Sequence, residues 1–282
     1  MPELPEVETV RRGLTRLVQG ATIAHVEVRY PKMVTPDADV FTAELISRKI
    51  ERIDRRGKYL LFRFSGDLTM VSHLRMEGKY DVQPEGSPVS KHTHVIFHLT
   101  DNRELRYTDT RKFGRMQLVP TGEETTLAPS LGKLGPEPTA ETLTLAYMVK
   151  IFGKSHKVVK PFLLDQTRIA GLGNIYADEV LWLSKINPLT PVDTLTPSQL
   201  SELRQNIIDE MALAIGGMAR QSIHFRQRLV RLVSFKISCM SMAEKVNRAN
   251  GVEQNWLRLR WPSVARISAR TASYYHQKQR RR

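Results

Sequence analysis

The sequence predicts an α+β protein in which an N-terminal helix and a β-sandwich domain precede a helical domain. Three observations predict it. Val7, Val10, Leu14 and Leu17 recur at helical spacing near the start. Short strand-like runs separated by turn residues fill the stretch from about residue 21 to 119. Beyond a Gly- and Pro-containing stretch at 120–138, the apolar pattern becomes helical. At 282 residues the chain is long enough for two domains with cores of their own. The expected divisions are 1–134, 135–217 and a basic tail at 218–282.

Each element has its own local signal. Pro5 suits the first turn of the opening helix, and Glu3, Glu6 and Glu8 suit its positive N-terminal end. Residues 21–30 alternate, with Ala24, Val26, Val28 and Tyr30 on one face of a half-buried strand. Further strands are expected at 58–64, 68–74, 94–99, 104–107 and 115–119, punctuated by turns such as Ser65-Gly66-Asp67 and Asp101-Asn102. Short strands at this spacing suit a sandwich. Residues 120–138 read as a loop-rich hinge to the second domain. Helices are expected at 139–152, 161–167, 175–183 and 197–215. The last opens with Thr196 as N-cap, Pro197 at the first position and Gln199 three residues beyond the cap.

Composition narrows the function classes. Hydrophobic residues make up 41% and charged residues 26%, as in a soluble globular protein. No apolar run reaches membrane-span length and the acidic start is no signal peptide, so a cytoplasmic, membrane-independent and monomeric protein is expected. The one cysteine, Cys239, excludes an internal disulfide and a cysteine-rich zinc site within one chain. A net charge of +14 invites a nucleic-acid partner, but fifteen of the Lys and Arg residues lie in 218–282 against only Glu244 and Glu253. The first 217 residues are nearly neutral, so placed residues must carry the case.

Several stretches could do chemistry. With Met1 removed, Pro2 becomes a free secondary amine, whose pKa of about 8 leaves a usable neutral fraction at neutral pH. Such an amine can attack a sugar carbon and form an imine, and adjacent Glu3 can give or take a proton. Lys58, at a turn feeding a strand in Arg55-Arg56-Gly57-Lys58, offers a compact cation to a phosphate or a developing negative charge. A flexible Met76 and a flat Phe113 could fill a gap in a base stack, while the fork of Arg111 bonds a base edge or phosphates. Taken singly, these are also an ordinary core Met, a loop Arg and a packed Phe. His92, Lys154 and Lys160 lie in basic stretches; His92 and His94 lack the further ligands a metal site needs. Gly171-Leu172-Gly173-Asn174 is a glycine turn running into a helix, where backbone could approach a phosphate. No strand precedes it, so it is no dinucleotide fingerprint.

Met1-Pro2-Glu3-Leu4-Pro5-Glu6 resembles the N-terminus of the formamidopyrimidine-DNA glycosylases, which excise oxidised purines and nick the resulting abasic site. The endonuclease VIII branch of that superfamily typically begins Pro-Glu-Gly-Pro, and Leu4 favours the formamidopyrimidine branch. The resemblance extends to about residue 217 and takes in the lysine turn, the three separated wedge residues and the glycine turn after Asp165-Gln166. It implies a helix-two-turns-helix in the second domain and damaged double-stranded DNA as partner. It further implies Pro2 as nucleophile, with Glu3 and Lys58 in proton transfer. Met76, Arg111 and Phe113 would then enter the duplex, and His92, Lys154, Lys160 and Asn174 would hold phosphates. A glycosylase for oxidised pyrimidines and an inactive DNA-binding remnant are the alternatives.

The family ends in a zinc finger with two Cys-x2-Cys pairs, and this chain has one cysteine. Back-translation with a shifted frame supplies a reason. Met242-Ala243 is then forced to encode Gly and Trp261-Pro262 to encode Ala. The stretch from Ser241 to Val252 can spell Tyr-Gly-Arg-Lys-Gly-Glu-Pro-Cys-Gln-Arg-Cys, and that from Trp261 to Ala272 can spell a second Cys-x2-Cys. A frameshift near Met218 is therefore expected, with no zinc finger and no bound metal.

Overall fold

The computed structural model describes residues 1–221, with side chains described as far as Gly217. All of them fall in one compact unit, Met1–Phe225. The expectations for the tail, Cys239 included, lie outside the described residues.

Helix α1 (Leu4–Val18) carries Pro5 in its first turn, and the Glu3 N–H at its cap donates to Glu6 Oε2 at 2.8 Å. Its buried face is Leu4, Val7, Leu14 and Val18, whereas Leu17 is exposed. The expected stripe ended on a step of three, from Leu14 to Leu17, which leaves the face; Leu14 to Val18, a step of four, keeps to it. This helix serves two cores. Val7, Leu14 and Val18 join the sandwich core, and Leu4 joins the helical one. The residues ahead of Leu4 are thereby placed at the junction of the two layers.

The sandwich has a four-stranded sheet in the order β1 (Ile23–Val28), β7 (Thr93–Leu99), β8 (Arg103–Thr108), β6 (Lys79–Pro84). Its five-stranded partner runs β2 (Val34–Thr35), β9 (Arg115–Pro120), β5 (Leu68–His73), β4 (Tyr59–Phe64), β3 (Ile50–Arg56). All pairings are antiparallel except β2 with β9. The β3 and β6 strands were not expected from the sequence. Both are edge strands, where solvent faces one side and charged residues replace the apolar alternation. In β1 the register shifts between Ile23 and His25, so Ile23 and Val26 are buried while Ala24 is exposed. The alternation expected over 21–30 fails at that bulge. Helix α2 (Ala38–Leu45) was also missed, although Asp37 caps it by accepting from the Asp39 and Val40 N–H groups.

The stretch at 120–138 is more than a loop. It holds two single-turn helices, α3 (Glu124–Leu127) and α4 (Pro129–Gly132). Ala128 and Leu131 pack there with Leu61, Val71 and Val119 of the five-stranded sheet in a third, small core. The helical layer comprises α5 (Leu145–Phe152), α6 (Val159–Leu164), α7 (Asn174–Leu183) and α8 (Pro197–Gln221). α5 begins six residues later than expected because Thr144, not the earlier Thr139, caps it through the Tyr147 N–H. α8 opens as anticipated: the Gln199 N–H donates to Thr196 Oγ1 at 3.3 Å and the Thr196 N–H to Gln199 Oε1 at 2.9 Å. Leu143, Phe152, Phe162, Tyr176 and Ile207 fill this core together with Leu4.

Candidate active site and nucleic-acid interface

The N-terminus is clasped by the turn that leads into α7. Glu3 is 3% exposed, and its carboxylate accepts from the Ile175 N–H at 3.0 Å and the Tyr176 N–H at 3.4 Å. A helix N-terminus favours an anion because its leading N–H groups lack intrahelical partners. The sequence suggested a phosphate for this place; the anion that occupies these two groups is the Glu3 carboxylate, with Asn174 exposed beside them. The glycines serve the same contact. A Cβ at Gly173 would collide with the Glu3 carboxyl group, and one at Gly171 with the Leu4 side chain. The Leu4 N–H donates to the Gly171 carbonyl at 3.1 Å. Burial raises the pKa of Glu3, while the Ile175 N–H and the charge of Lys58 pull it back. Pro2 is half-buried next to this carboxylate, and Met1 is exposed.

Lys58 is also 3% exposed, and its Nζ donates to the Leu172 carbonyl at 2.6 Å. The glycine turn thus holds the two candidate proton-transfer groups at once. Burial lowers the Lys58 pKa, opposed by the negative charges of Glu3 and Glu6. Several residues that the sequence did not single out support this arrangement. Gln166 Nε2 donates to the Leu172 carbonyl at 2.7 Å while its Oε1 accepts from the Gly171 N–H at 2.9 Å. Tyr176 Oη donates to Glu6 Oε1 at 3.1 Å. Glu137 accepts from the Gly57 N–H at 2.6 Å and takes both ends of the Arg55 guanidinium at 2.8 and 2.9 Å, fixing the hairpin that carries Lys58. His73 lies close by, its ring 4.5 Å from that of Tyr59. Burial, with Arg75 and Lys58 adding like charge, pushes its pKa down to about 3, so it is neutral at physiological pH. Glu6, Arg55 and Gln166 stand in motifs visible in the sequence, whereas Glu137 does not, its partner Gly57 being 80 residues away.

Topology explains how Met76, Arg111 and Phe113 meet. β5 pairs with β9 in one sheet and β6 with β8 in the other. The corners β5–β6 and β8–β9 therefore cross between the sheets side by side. Met76 and Phe113 are exposed at their tips, and the Arg111 guanidinium lies 4.7 Å from the Phe113 ring centre. The buried Asp109 carboxylate shapes the second corner by accepting from the Arg111, Phe113 and Gly114 N–H groups at 2.9, 2.9 and 2.8 Å. The Asp109 N–H donates to the His92 carbonyl at 3.0 Å, tying His92 to the same corner. His94 is buried, with Nε2 2.8 Å from the Asp109 carbonyl. Among the described residues no group of three or more His, Cys, Asp or Glu is placed to hold a metal ion. Lys154 is exposed in the loop after α5, while Lys160 is half-buried with its ammonium 2.7 Å from Asp178.

Comparison with known proteins agrees across this region. Residues 1–116 match the formamidopyrimidine-DNA glycosylase N-terminal domain, and residues 134–226 match the formamidopyrimidine-DNA glycosylase H2TH domain. The chain is 68% identical over 217 residues to the formamidopyrimidine-DNA glycosylase of Lactiplantibacillus plantarum, covering 77% of this chain and 79% of that one. It is 60% identical over 215 residues to the corresponding protein of Pediococcus pentosaceus, covering 76% and 78%. A solved complex of Lactococcus lactis Fpg with DNA containing an abasic site is similar at a TM-score of 0.73 and 42% identity, covering 76% of this chain and 78% of that one. A complex of the Lactococcus lactis protein with FAPY-dG-containing DNA gives 0.73 and 42%, covering 76% and 80%. Among the described residues no helix is long and apolar enough to cross a membrane. The α+β fold, the two crossing corners and the clasped N-terminus are found in a chain with close relatives over three quarters of its length, and this chain belongs to the formamidopyrimidine-DNA glycosylase family.

Proposed function

We propose that this chain is a base-excision glycosylase that removes formamidopyrimidine and 8-oxoguanine from duplex DNA and then cleaves the strand at the abasic site. The observation that carries the chemistry is the shared clasp: one glycine turn buries Glu3 and Lys58 together beside the residue whose amine would attack. With Met1 removed, the lone pair of the Pro2 nitrogen forms a bond to the anomeric carbon. The glycosidic bond breaks with its electron pair on the base, and the base takes up the proton that the Pro2 nitrogen sheds, which frees the nitrogen's lone pair to open the ring. Glu3 protonates the sugar ring oxygen as the ring opens, leaving an iminium between Pro2 and the sugar. Lys58 assists proton transfer, and its buried charge stabilises negative charge developing nearby. Loss of a proton from the adjacent sugar carbon then expels the 3′ phosphate, and hydrolysis of the iminium frees the enzyme. Met76, Arg111 and Phe113 fill the gap left by the extruded base, and His92, Lys154, Lys160 and Asn174 anchor the strand. The relatives solved with abasic-site and FAPY-dG DNA support damaged DNA as the partner.

Borohydride trapping on abasic-site DNA tests this reading. Protein beginning at Pro2 traps covalently, and protein retaining Met1 does not, because its Pro2 nitrogen is an amide. Equal trapping by both forms overturns the assignment of Pro2. A panel of duplexes bearing oxidised purines or pyrimidines then separates purine specificity from the pyrimidine alternative.

The tail supports a second reading, a glycosylase weakened by loss of its zinc finger or reduced to a DNA-binding remnant. A single cysteine does not fit the four thiolates of the family's finger, so no metal-dependent role is assigned to this chain. The forced Gly and Ala codon triplets support a frameshift near Met218 as the origin of residues 218–282.

A further inference from the structure

Resting on the wedge reading, we propose that Tyr107 is a positioning residue that locks the two wedge corners together, so that Met76, Arg111 and Phe113 enter DNA as one rigid unit. Tyr107 lies at the end of β8, fully buried, under both corners. Its hydroxyl occupies a slot made by two glycines, one from each corner. A Cβ at Gly78 or at Gly114 would overlap the Tyr107 hydroxyl oxygen, and at Gly78 would also stand 2.5 Å from the Leu74 carbonyl. No other residue type at either position leaves room for the hydroxyl. A second tie runs over the surface, where Thr110 Oγ1 of one corner donates to the Glu77 carboxylate of the other.

The hydroxyl is not held there by hydrogen bonding to other described residues. It has no hydrogen-bond partner among the described residues, and a buried hydroxyl without one is destabilising. The ring beneath it already packs on Tyr80, with centres 5.1 Å apart. Phenylalanine would keep that packing and discard the unpaired oxygen. Each corner also holds a non-glycine residue in the left-handed region immediately before its wedge tip: Arg75 at φ 55° before Met76, and Lys112 at φ 57° before Phe113. Strain persists in such places when the surroundings over-determine them, and here the spacer between the corners does so. A rigid wedge displaces a base in one motion, whereas two loose corners must be ordered separately as they enter.

The test uses the full chain, begun at Pro2 and at saturating concentration, on a duplex carrying a tetrahydrofuran abasic analogue with 2-aminopurine beside the orphaned base. Stopped-flow fluorescence reads unstacking. Tyr107→Phe melts no lower than the parent yet slows the fluorescence rise by about tenfold, and Met76→Ala slows it comparably. The double variant Tyr107→Phe/Met76→Ala is no slower than the slower single variant, because both changes disable the same unit. Trapping on a single-stranded abasic oligonucleotide, where no partner base is displaced, is unaltered by Tyr107→Phe. Parental unstacking in Tyr107→Phe, or slowing that multiplies in the double variant, overturns the proposal while leaving the wedge standing. If Met76→Ala and Phe113→Ala also unstack at the parental rate, or the parent gives no signal, the wedge reading fails and takes this proposal with it.

Discussion

Glu3 and Lys58 are charged side chains that the fold buries, and each would be easier to accommodate in water. Burial moves their pKa values toward each other, Glu3 upward and Lys58 downward. For Glu3 the folded value lies above the ordinary one, so its stabilising contribution is full below about pH 4.5 and disappears as pH rises through the folded value. For Lys58 the folded value lies below the ordinary one, so its contribution is full only above about pH 10.5 and is lost as pH falls. In each case the site disfavours the charged form, as it does for many catalytic groups. Denaturant unfolding from about pH 4 to 7 should therefore show the parent losing stability relative to Glu3→Gln as pH rises. A flat difference would mean that Glu3 titrates normally. The absolute offset is less informative, since Glu3→Gln also removes a counter-charge from Lys58. At this scale the sequence pointed to Pro2, Glu3 and Lys58 because they stand in motifs, and the fold brings Glu3 and Lys58 to one turn. It did not show the support from Glu137, whose partner is remote: Gly57 and Glu137 are 80 residues apart.

Among the elements, the turn into α7 has the most to do. It receives Lys58 on its carbonyl, Leu4 against Gly171 and the Glu3 carboxylate on the N–H groups beyond Gly173. Gly173→Ala should evict the Glu3 carboxylate and reduce imine trapping by about a hundredfold, with little change in circular dichroism. Gly20→Ala is the matched control: it sits at φ 88° with nothing within 4 Å of a new Cβ, so backbone strain of roughly 1 kcal/mol is its only expected effect. Trapping that survives in Gly173→Ala would show that the glycine serves the turn alone. Elements with strong local signals were legible, such as α1 with Pro5, α8 with Thr196 and Gln199, and the apolar central strands. Edge strands β3 and β6 were not, because their pairing partners rather than their own residues make them strands. The wedge corners were visible only as separate motifs; their adjacency comes from β5–β9 and β6–β8 pairing in opposite sheets, which no local pattern encodes.

For the whole molecule, the last buried residues of the helical core among the described residues are Met211 and Ala214 on α8, ahead of the tail. A chain ending at Gly217 should therefore fold, with an unfolding free energy within about 1 kcal/mol of the full chain's, since surface losses are small. The match to the family's H2TH domain ends close by, at residue 226. Residues 218–282 carry fifteen basic and two acidic side chains and a single cysteine. If this tail is the product of a shifted frame, it was never patterned for a core and has no thiolate set to gain folding energy from zinc. It nevertheless carries charge that phosphates attract without regard to sequence. The full chain should then bind undamaged duplex with a steeper dependence of log affinity on log salt than the chain ending at Gly217. Trapping at abasic sites should be retained by both, because among the described residues the bonds that hold Glu3 and Lys58 come from residues before 217. Metal analysis of the full chain should find no zinc, and the gene should show a misplaced base near codon 218. One zinc per chain, together with a coding frame that reads through codon 218 as written, would overturn the frameshift. Equal salt slopes would show that the tail does not reach DNA.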